Sequence, residues 1–163
     1  MILPTRSDEK FYQIAHNVIP QIDVFTESGY TKEEVKMINE TQKIFEDTTL
    51  KVNATCVRVP VRYGHSLSTT VKLKEKVKNR DDILEEFEKS SDIVVYDKME
   101  EQLYPMPAYL ANQDEVYVGR IRKDLFDDDV IHFWVVSDNV LKGAALNSIQ
   151  IAYYMHRHGL LGD

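Results

Sequence analysis

The segment EVYVGRIRKDLFDDDVIHFWVVSD, residues 115–138, decides the fold prediction because it contains two strands separated by a short acidic stretch. Apolar and polar residues alternate over 115–125, whereas 130–138 is more continuously apolar, which is typical of a more buried strand. The stretch between them, 124–129, lacks the D-x-D-x-D-G pattern of a calcium loop, so a solvated acidic turn is predicted. Strands that follow each other this directly predict an antiparallel or mixed sheet.

The rest of the chain predicts the same class. Strands are predicted at 50–61, 66–76 and 92–97, helices at 31–47, 80–90 and 139–159, and a long loop at 99–114. Thr31 and Glu34 have the spacing of a capping box at the start of the first helix. The predicted fold is α+β: a mixed, largely antiparallel sheet with helices packed on one face. A doubly wound nucleotide-binding fold is not expected, because no G-x-G-x-x-G and no phosphate loop occurs.

Composition excludes several function classes. The chain has 163 residues, 43% of them hydrophobic, and no apolar run approaches the ~18 residues that span a bilayer. The first residues, MILPTRSDEKFYQ, lack the apolar core of a secretory signal, so we expect a cytoplasmic protein without a membrane partner. A net charge of −7 argues against nucleic-acid binding. The single cysteine, Cys56, excludes a disulfide framework and a cysteine-rich zinc site, and no metal is expected.

The segment RVPVRYGH, residues 58–65, carries two candidate site residues. The guanidinium of Arg58 can bind a carboxylate or phosphate through two parallel hydrogen bonds. His65 follows Gly64 at a strand end, and a histidine side chain can take and return a proton near neutral pH, as an acid/base requires. Taken singly, a strand arginine that reaches solvent and a surface turn histidine explain these residues at least as well.

Other candidates are equally open when taken one at a time. Glu33 and Lys36 could hold the ammonium and an anionic group of a small substrate, or form an ordinary surface ion pair. Cys56 could be an activated thiolate, although a buried inert cysteine fits a strand interior better. Asn139 lies in SDNVLKGAA (137–145), where a helix start could bind an anion or a cofactor amide, or could simply cap a core helix.

In combination and order, several segments closely resemble the aspartate-semialdehyde dehydrogenase family, of the bacterial type found in Gram-positive organisms. The resemblance covers nearly the whole chain, and its segments are NVIPQIDVF, TKEEVKMINETQKI, ATCVRVPVRYGHS, VYVGRIRKD and WVVSDNVLKGAALNSIQIA. It implies NADPH-dependent reductive dephosphorylation of β-aspartyl phosphate to aspartate semialdehyde. This step belongs to the biosynthesis of lysine, threonine, methionine and diaminopimelate. The implied fold is that of the C-terminal domain of glyceraldehyde-3-phosphate dehydrogenase.

The resemblance also implies a role for each candidate. His65 is expected to be the acid/base, and Arg58 to bind the substrate carboxylate. Glu33 is expected to bind the substrate ammonium, Lys36 to hold phosphate, and Asn139 to contact the nicotinamide of NADP. The partners implied are aspartate semialdehyde, phosphate and a second copy of the chain, which pairs through its sheet surface.

The sequence departs from the family in two respects. Members begin with a dinucleotide-binding domain and carry their nucleophile in an Asn-Cys-Ser/Thr motif, and neither occurs in this sequence. We therefore expect one catalytic and dimerisation domain over residues 1–163, inactive alone, with the N-terminal dinucleotide-binding domain absent. Two alternatives remain: a non-catalytic dimeric binding or scaffold module of the same fold, and a related reductase such as one acting on N-acetyl-glutamyl phosphate. Glu33 distinguishes the aspartate-semialdehyde dehydrogenase from the reductase for N-acetyl-glutamyl phosphate, since an acetylated amine needs no anionic partner.

Overall fold

A computed structural model of the chain describes residues 2–4 and 11–161. The chain forms two compact units, Met1–Pro60 and Val61–Asp163. The expectation of a single catalytic and dimerisation domain over residues 1–163 remains a prediction.

The second unit contains a four-stranded mixed sheet, which confirms the predicted fold class. Its elements are β3 (His65–Lys72), α2 (Arg80–Glu88), β4 (Ile93–Val95), β5 (Val116–Lys123), β6 (Val130–Ser137), a π-helix (Leu141–Ala145) and α3 (Leu146–Arg157). The strand order is β3-β6-β5-β4; β3–β6 and β6–β5 pair antiparallel, and β5–β4 pair parallel. Helix α2 packs on one face of the sheet.

The core of this unit lies between α2 and the sheet. Ile83 of α2 packs with Val118, Ile121 and Ile131 of β5 and β6, and all four are buried. Both strands were predicted from the sequence, but the buried positions Val118 and Ile121 are three residues apart, because the register of β5 shifts between Gly119 and Arg122. Burial of these apolar side chains is the main force that holds α2 against the sheet.

A bulge in β5 is stabilised by a buried ion pair. The pairing of β5 with β6 shifts between Gly119 and Arg122, and Arg120 has a φ of +54°. The Asp97 carboxylate accepts a hydrogen bond from the Ile121 N–H at 2.8 Å and from Arg80 Nη2 at 2.8 Å. Asp97 thereby satisfies a backbone donor at the irregular part of the ladder, which explains why a fully buried carboxylate is found there.

The predicted loop at 99–114 is confirmed, and it is held on the sheet by a side-chain hydrogen bond and by close packing. Trp134 Nε1 donates to the Pro105 carbonyl at 3.0 Å. Gly119 lies beneath the same proline: a Cβ added there would come within 2.5 Å of Pro105 Cδ and of the Tyr96 carbonyl oxygen. Only glycine permits this close approach of loop and strand.

The first unit contains the hairpin β1 (Ile2–Pro4) and β2 (Phe11–Gln13) and the helix α1 (Lys32–Ile44). The predicted capping box is present: Thr31 Oγ1 accepts from the Glu34 N–H, and the Glu34 carboxylate accepts from the Thr31 N–H. These bonds satisfy donors that the first turn of a helix leaves free, which is why α1 begins here.

The predicted strand at 50–61 is wrong. The alternation is real, since Cys56 and Arg58 are half-buried while Val57 and Val59 are exposed. However, only Arg58 forms a backbone bridge, with Ile19, and the Cys56 N–H donates to a carboxylate instead. Alternation records which side of an extended segment is covered, whereas a strand needs a neighbouring backbone along several residues.

The last predicted helix is present but is not a core helix. It begins as the π-helix Leu141–Ala145 and continues as α3, and neither contains a buried residue. Large apolar side chains of α3, such as Ile149 and Tyr153, are more than half exposed. In the part of the chain that the structure describes, no helix is long and apolar enough to cross a membrane.

Candidate functional site

The turn before β3 fixes the backbone of His65. Gly64 has a φ of +84°, which a residue with a Cβ rarely adopts. A Cβ at Gly64 would lie 3.1 Å from the Ser137 carbonyl oxygen, and Ser137 is the register partner of His65 at the end of β6. The Gly64 N–H donates to Asn139 Oδ1 at 3.0 Å. This bond links Asn139, the predicted cofactor contact, to the residue that precedes His65, the predicted acid/base. His65 itself is exposed.

Asp138 organises the segment that carries Asn139. Its side chain is buried, and Oδ1 accepts from the Val140 N–H at 2.7 Å and the Leu141 N–H at 2.9 Å. Oδ2 accepts from the Asn112 N–H at 2.9 Å, which ties the 99–114 loop to the end of β6. Hydrogen bonds from these three backbone groups, that of Asn112 first, hold the pKa of Asp138 below its usual range.

Asp138 also decides between two interpretations of the helix start. An external anion would need free backbone N–H groups at this point, but Asp138 already occupies those of Val140 and Leu141. The anion-site interpretation is therefore not supported. The amide of Asn139 remains a suitable cofactor contact: Oδ1 is used by Gly64, and its NH2 group can donate to an amide carbonyl.

In the first unit, Glu33 and Lys36 form an ion pair on α1. Lys36 Nζ lies 3.6 Å from Glu33 Oε1, and the two side chains are 56% and 34% exposed. The neighbouring Glu34 cannot replace Glu33 as a ligand, because both of its oxygens accept backbone hydrogen bonds and it is buried. The structure thus leaves Glu33 as the carboxylate of this turn that is open to a ligand.

Arg58 is half-buried, and its guanidinium has hydrogen-bonding capacity that the described part of the chain does not use. Its backbone forms the bridge with Ile19, with N···O distances of 2.8 and 3.0 Å. Its side-chain Nε is buried and has no hydrogen-bond partner among the described residues. A buried guanidinium N–H without an acceptor is costly, and a guanidinium as a whole can bind a carboxylate through two parallel hydrogen bonds.

Cys56 has the properties of a structural cysteine. Its Sγ lies 3.3 Å from Met37 Sδ. Burial raises the pKa of the thiol, and the carboxylates of Glu34 and Glu33 raise it further. Because the thiolate is the nucleophile, a raised pKa opposes the alternative in which Cys56 attacks a substrate.

The candidates fall into two groups. Glu33, Lys36 and Arg58 belong to the first compact unit, and His65 and Asn139 belong to the second. Sequence reasoning placed Glu34 only in the capping box and named Asp138 only as one of three residues at a helix start, whereas each is a buried carboxylate that binds a backbone group of a distant segment. The signal for Asp138 was its place after a buried strand and before a helix, which suits a cap. No cluster that could bind a metal occurs among the described residues.

Comparison with known proteins assigns the chain to a family. The family described as semialdehyde dehydrogenase, dimerisation domain, matches residues 2–142. The aspartate-semialdehyde dehydrogenase of Bacillus subtilis (strain 168) is 48% identical over 160 residues, which cover 98% of this chain and 46% of the relative. That of Aquifex aeolicus (strain VF5) is 46% identical over 154 residues, which cover 94% and 45%. The chain therefore spans about half the length of these relatives.

Solved structures agree. Aspartate semialdehyde dehydrogenase II of Vibrio cholerae, complexed with ASA, superposes with a TM-score of 0.83 at 44% identity, over 90% of this chain and 43% of that one. Aspartate semialdehyde dehydrogenase of Candida albicans, with NADP, gives 0.72 at 26% identity, over 91% and 46%.

Proposed function

Because the chain belongs to the semialdehyde dehydrogenase dimerisation-domain family, we propose that it is the substrate-binding and dimerisation part of an aspartate-semialdehyde dehydrogenase. In this proposal the chain supplies the acid/base, the substrate-binding side chains and the dimer contact. The nucleophile and most of the cofactor site come from a part of the protein outside this chain. The named relatives favour this function over a scaffold module and over a reductase for N-acetyl-glutamyl phosphate.

The hydrogen bond from the Gly64 N–H to Asn139 Oδ1 is the structural observation that carries the proposal. A dehydrogenase of this kind needs a proton-transfer group and a nicotinamide contact next to each other. His65 and Asn139 are far apart in sequence, and this bond connects them through one residue.

Each proposed substrate-binding side chain contacts a substrate group of opposite charge. Arg58 binds the α-carboxylate, for which the planar guanidinium is suited because it can form two parallel hydrogen bonds. Glu33 binds the α-ammonium, and Lys36 exchanges its ion pair with Glu33 for contact with phosphate. His65 holds and returns the proton of the thiol nucleophile, and its exposed imidazole is accessible to that group.

When bound, NADPH would supply the hydride that the reductive reaction transfers. Asn139 is the residue of this chain that would hold it, by donating from its NH2 group to the carboxamide oxygen of the nicotinamide. Its Oδ1 bond to Gly64 keeps the amide in that orientation. The Candida albicans relative with NADP supports the cofactor. A homodimer and a cytoplasmic location belong to the same proposal, and the family description supports the dimer.

The test combines turnover and binding. The purified chain with aspartate semialdehyde, phosphate and NADP should show no NADP reduction above background, because it lacks the nucleophile. It should nevertheless bind aspartate semialdehyde in a calorimetric or NMR titration. Arg58→Lys should weaken this binding roughly tenfold or more through loss of a bidentate, charge-assisted contact. The control Arg157→Lys, in α3, should leave it unchanged.

Three other results would contradict the proposal. Turnover that disappears in Cys56→Ser would make Cys56 the nucleophile and overturn the proposal. A dimer that binds no aspartate semialdehyde would favour the scaffold module. Preference for an N-acetylated semialdehyde, unaffected by Glu33→Gln, would favour the reductase for N-acetyl-glutamyl phosphate.

A further inference from the structure

We propose that Glu34 is a positioning residue of the substrate site. Its carboxylate ties the first turn of α1 to the segment that carries Arg58, and this contact sets where Glu33 lies relative to Arg58. The inference rests on the proposed function, because it concerns how the same substrate site is built.

The carboxylate of Glu34 joins two segments that are distant in sequence. Oε2 accepts from the Thr31 N–H at 2.7 Å, within the capping box. Oε1 accepts from the Cys56 N–H at 2.9 Å, across 22 residues. Glu34 is 6% exposed, which is far more buried than a capping glutamate requires. A capping role explains the first bond but not the second.

Both bonds depend on the ionised carboxylate. The hydrogen bonds from the backbone of Thr31 and then of Cys56 hold the pKa of Glu34 below its usual range, against the opposing effect of burial. A carboxylate has only acceptor atoms, so it can serve both N–H groups at once. A glutamine in the same place would turn its NH2 group towards one of these donors.

The two bonded segments carry the substrate residues. Glu33 precedes Glu34 on α1, and Cys56 lies two residues before Arg58 on an extended segment, so Cys56 and Arg58 share its covered side. This segment forms one backbone bridge, at Arg58, and the Glu34 carboxylate adds a charged hydrogen bond to its backbone next to the contact between Cys56 and Met37. Loss of that hydrogen bond should change the spacing of Glu33 and Arg58.

The neighbours Glu33 and Glu34 provide a matched pair of variants with two readouts. One readout is hydrogen exchange at the Cys56 amide, and the other is the dissociation constant for aspartate semialdehyde. Glu34→Gln should accelerate the exchange roughly tenfold or more, as expected when a bond to a charged acceptor is lost. It should also weaken binding about tenfold through misplacement of Glu33. Glu33→Gln should weaken binding and leave the exchange unchanged.

A further variant separates positioning from stability. Thr31→Ser removes a buried methyl group and keeps the hydroxyl that accepts from the Glu34 N–H. It should lower the melting temperature of the first unit and leave both readouts unchanged. Weaker binding in Thr31→Ser, in proportion to lost stability, would reduce Glu34 to a structural residue and overturn the inference.

The remaining outcomes distinguish this inference from the proposed function. If Glu34→Gln leaves both the Cys56 exchange and the binding unchanged, Glu34 does not position the site, whereas the substrate proposal stands. If the unsubstituted chain binds no aspartate semialdehyde, the substrate proposal fails and the positioning role fails with it. The exchange measurement would then still report whether Glu34 holds the Cys56 segment.

Discussion

Replacement of Gly64 by alanine tests whether the turn before His65 requires glycine both for its backbone conformation and for its packing. The residue combines a left-handed backbone with close packing: its φ is +84°, and an added Cβ would lie 3.1 Å from the Ser137 carbonyl oxygen and 3.4 Å from Pro107 Cβ. Gly29 offers a matched control, because its φ is also +84° and nothing lies within 4 Å of an added Cβ. The two variants share the backbone cost and differ in the packing cost.

The magnitudes follow from these two terms. A left-handed conformation costs a residue with a Cβ about 1–2 kcal/mol, which is the whole expected effect of Gly29→Ala. Forcing a methyl group against packed atoms adds typically about 1–3 kcal/mol. Gly64→Ala should therefore lower the free energy of unfolding of the second unit by about 2–5 kcal/mol.

Urea unfolding measures both variants. Circular dichroism follows both units, and the fluorescence of the single tryptophan, Trp134, follows the second. We also expect the amide resonances of His65 and Asn139 to shift in Gly64→Ala, because the turn must move away from Ser137. If Gly64→Ala is no more costly than Gly29→Ala, the packing of this turn against β6 does not constrain it, and the argument that the turn fixes His65 is refuted.

Three further predictions concern other parts of the chain. Asp97→Ala should cost about 3–5 kcal/mol in urea unfolding, because it leaves the partly buried Arg80 without its partner; a cost below 1 kcal/mol would contradict a structural role. The Asp124 carboxylate accepts hydrogen bonds from His132 and from the following turn, which lower its pKa to about 2. Since this folded-state pKa lies below the usual value of about 4, the group stabilises the chain at neutral pH and loses that contribution as the pH falls from about 4 to about 2. Asp124→Asn should flatten the stability profile in that window, and an unchanged slope would exclude the contribution. Cys56 should react with a thiol reagent at pH 7 more slowly than free cysteine, because its pKa is raised; faster reaction would restore the thiolate interpretation.

The sequence alone determined the local structure and the candidate residues. Alternation of apolar and polar residues over 115–125 predicted β5, and the more continuously apolar run over 130–138 predicted β6 as a more buried strand. Thr31 and Glu34 predicted the start of α1, since a capping box depends only on residues three apart. The same local reasoning, with the family resemblance, selected Arg58 and His65.

Tertiary structure decided the features that depend on distant partners. The segment at 50–61 has the composition of a strand, but a ladder requires a neighbouring backbone, and Cys56 instead meets the carboxylate of Glu34. The last helix contains enough apolar residues for a core position, but no element of the described chain buries them. Likewise, the bond between Gly64 and Asn139 spans 75 residues, so no pattern of neighbouring residues could reveal it. Hydrogen bonds between remote segments form only when the whole chain brings their donors and acceptors together, and here these bonds hold the candidate site residues in place.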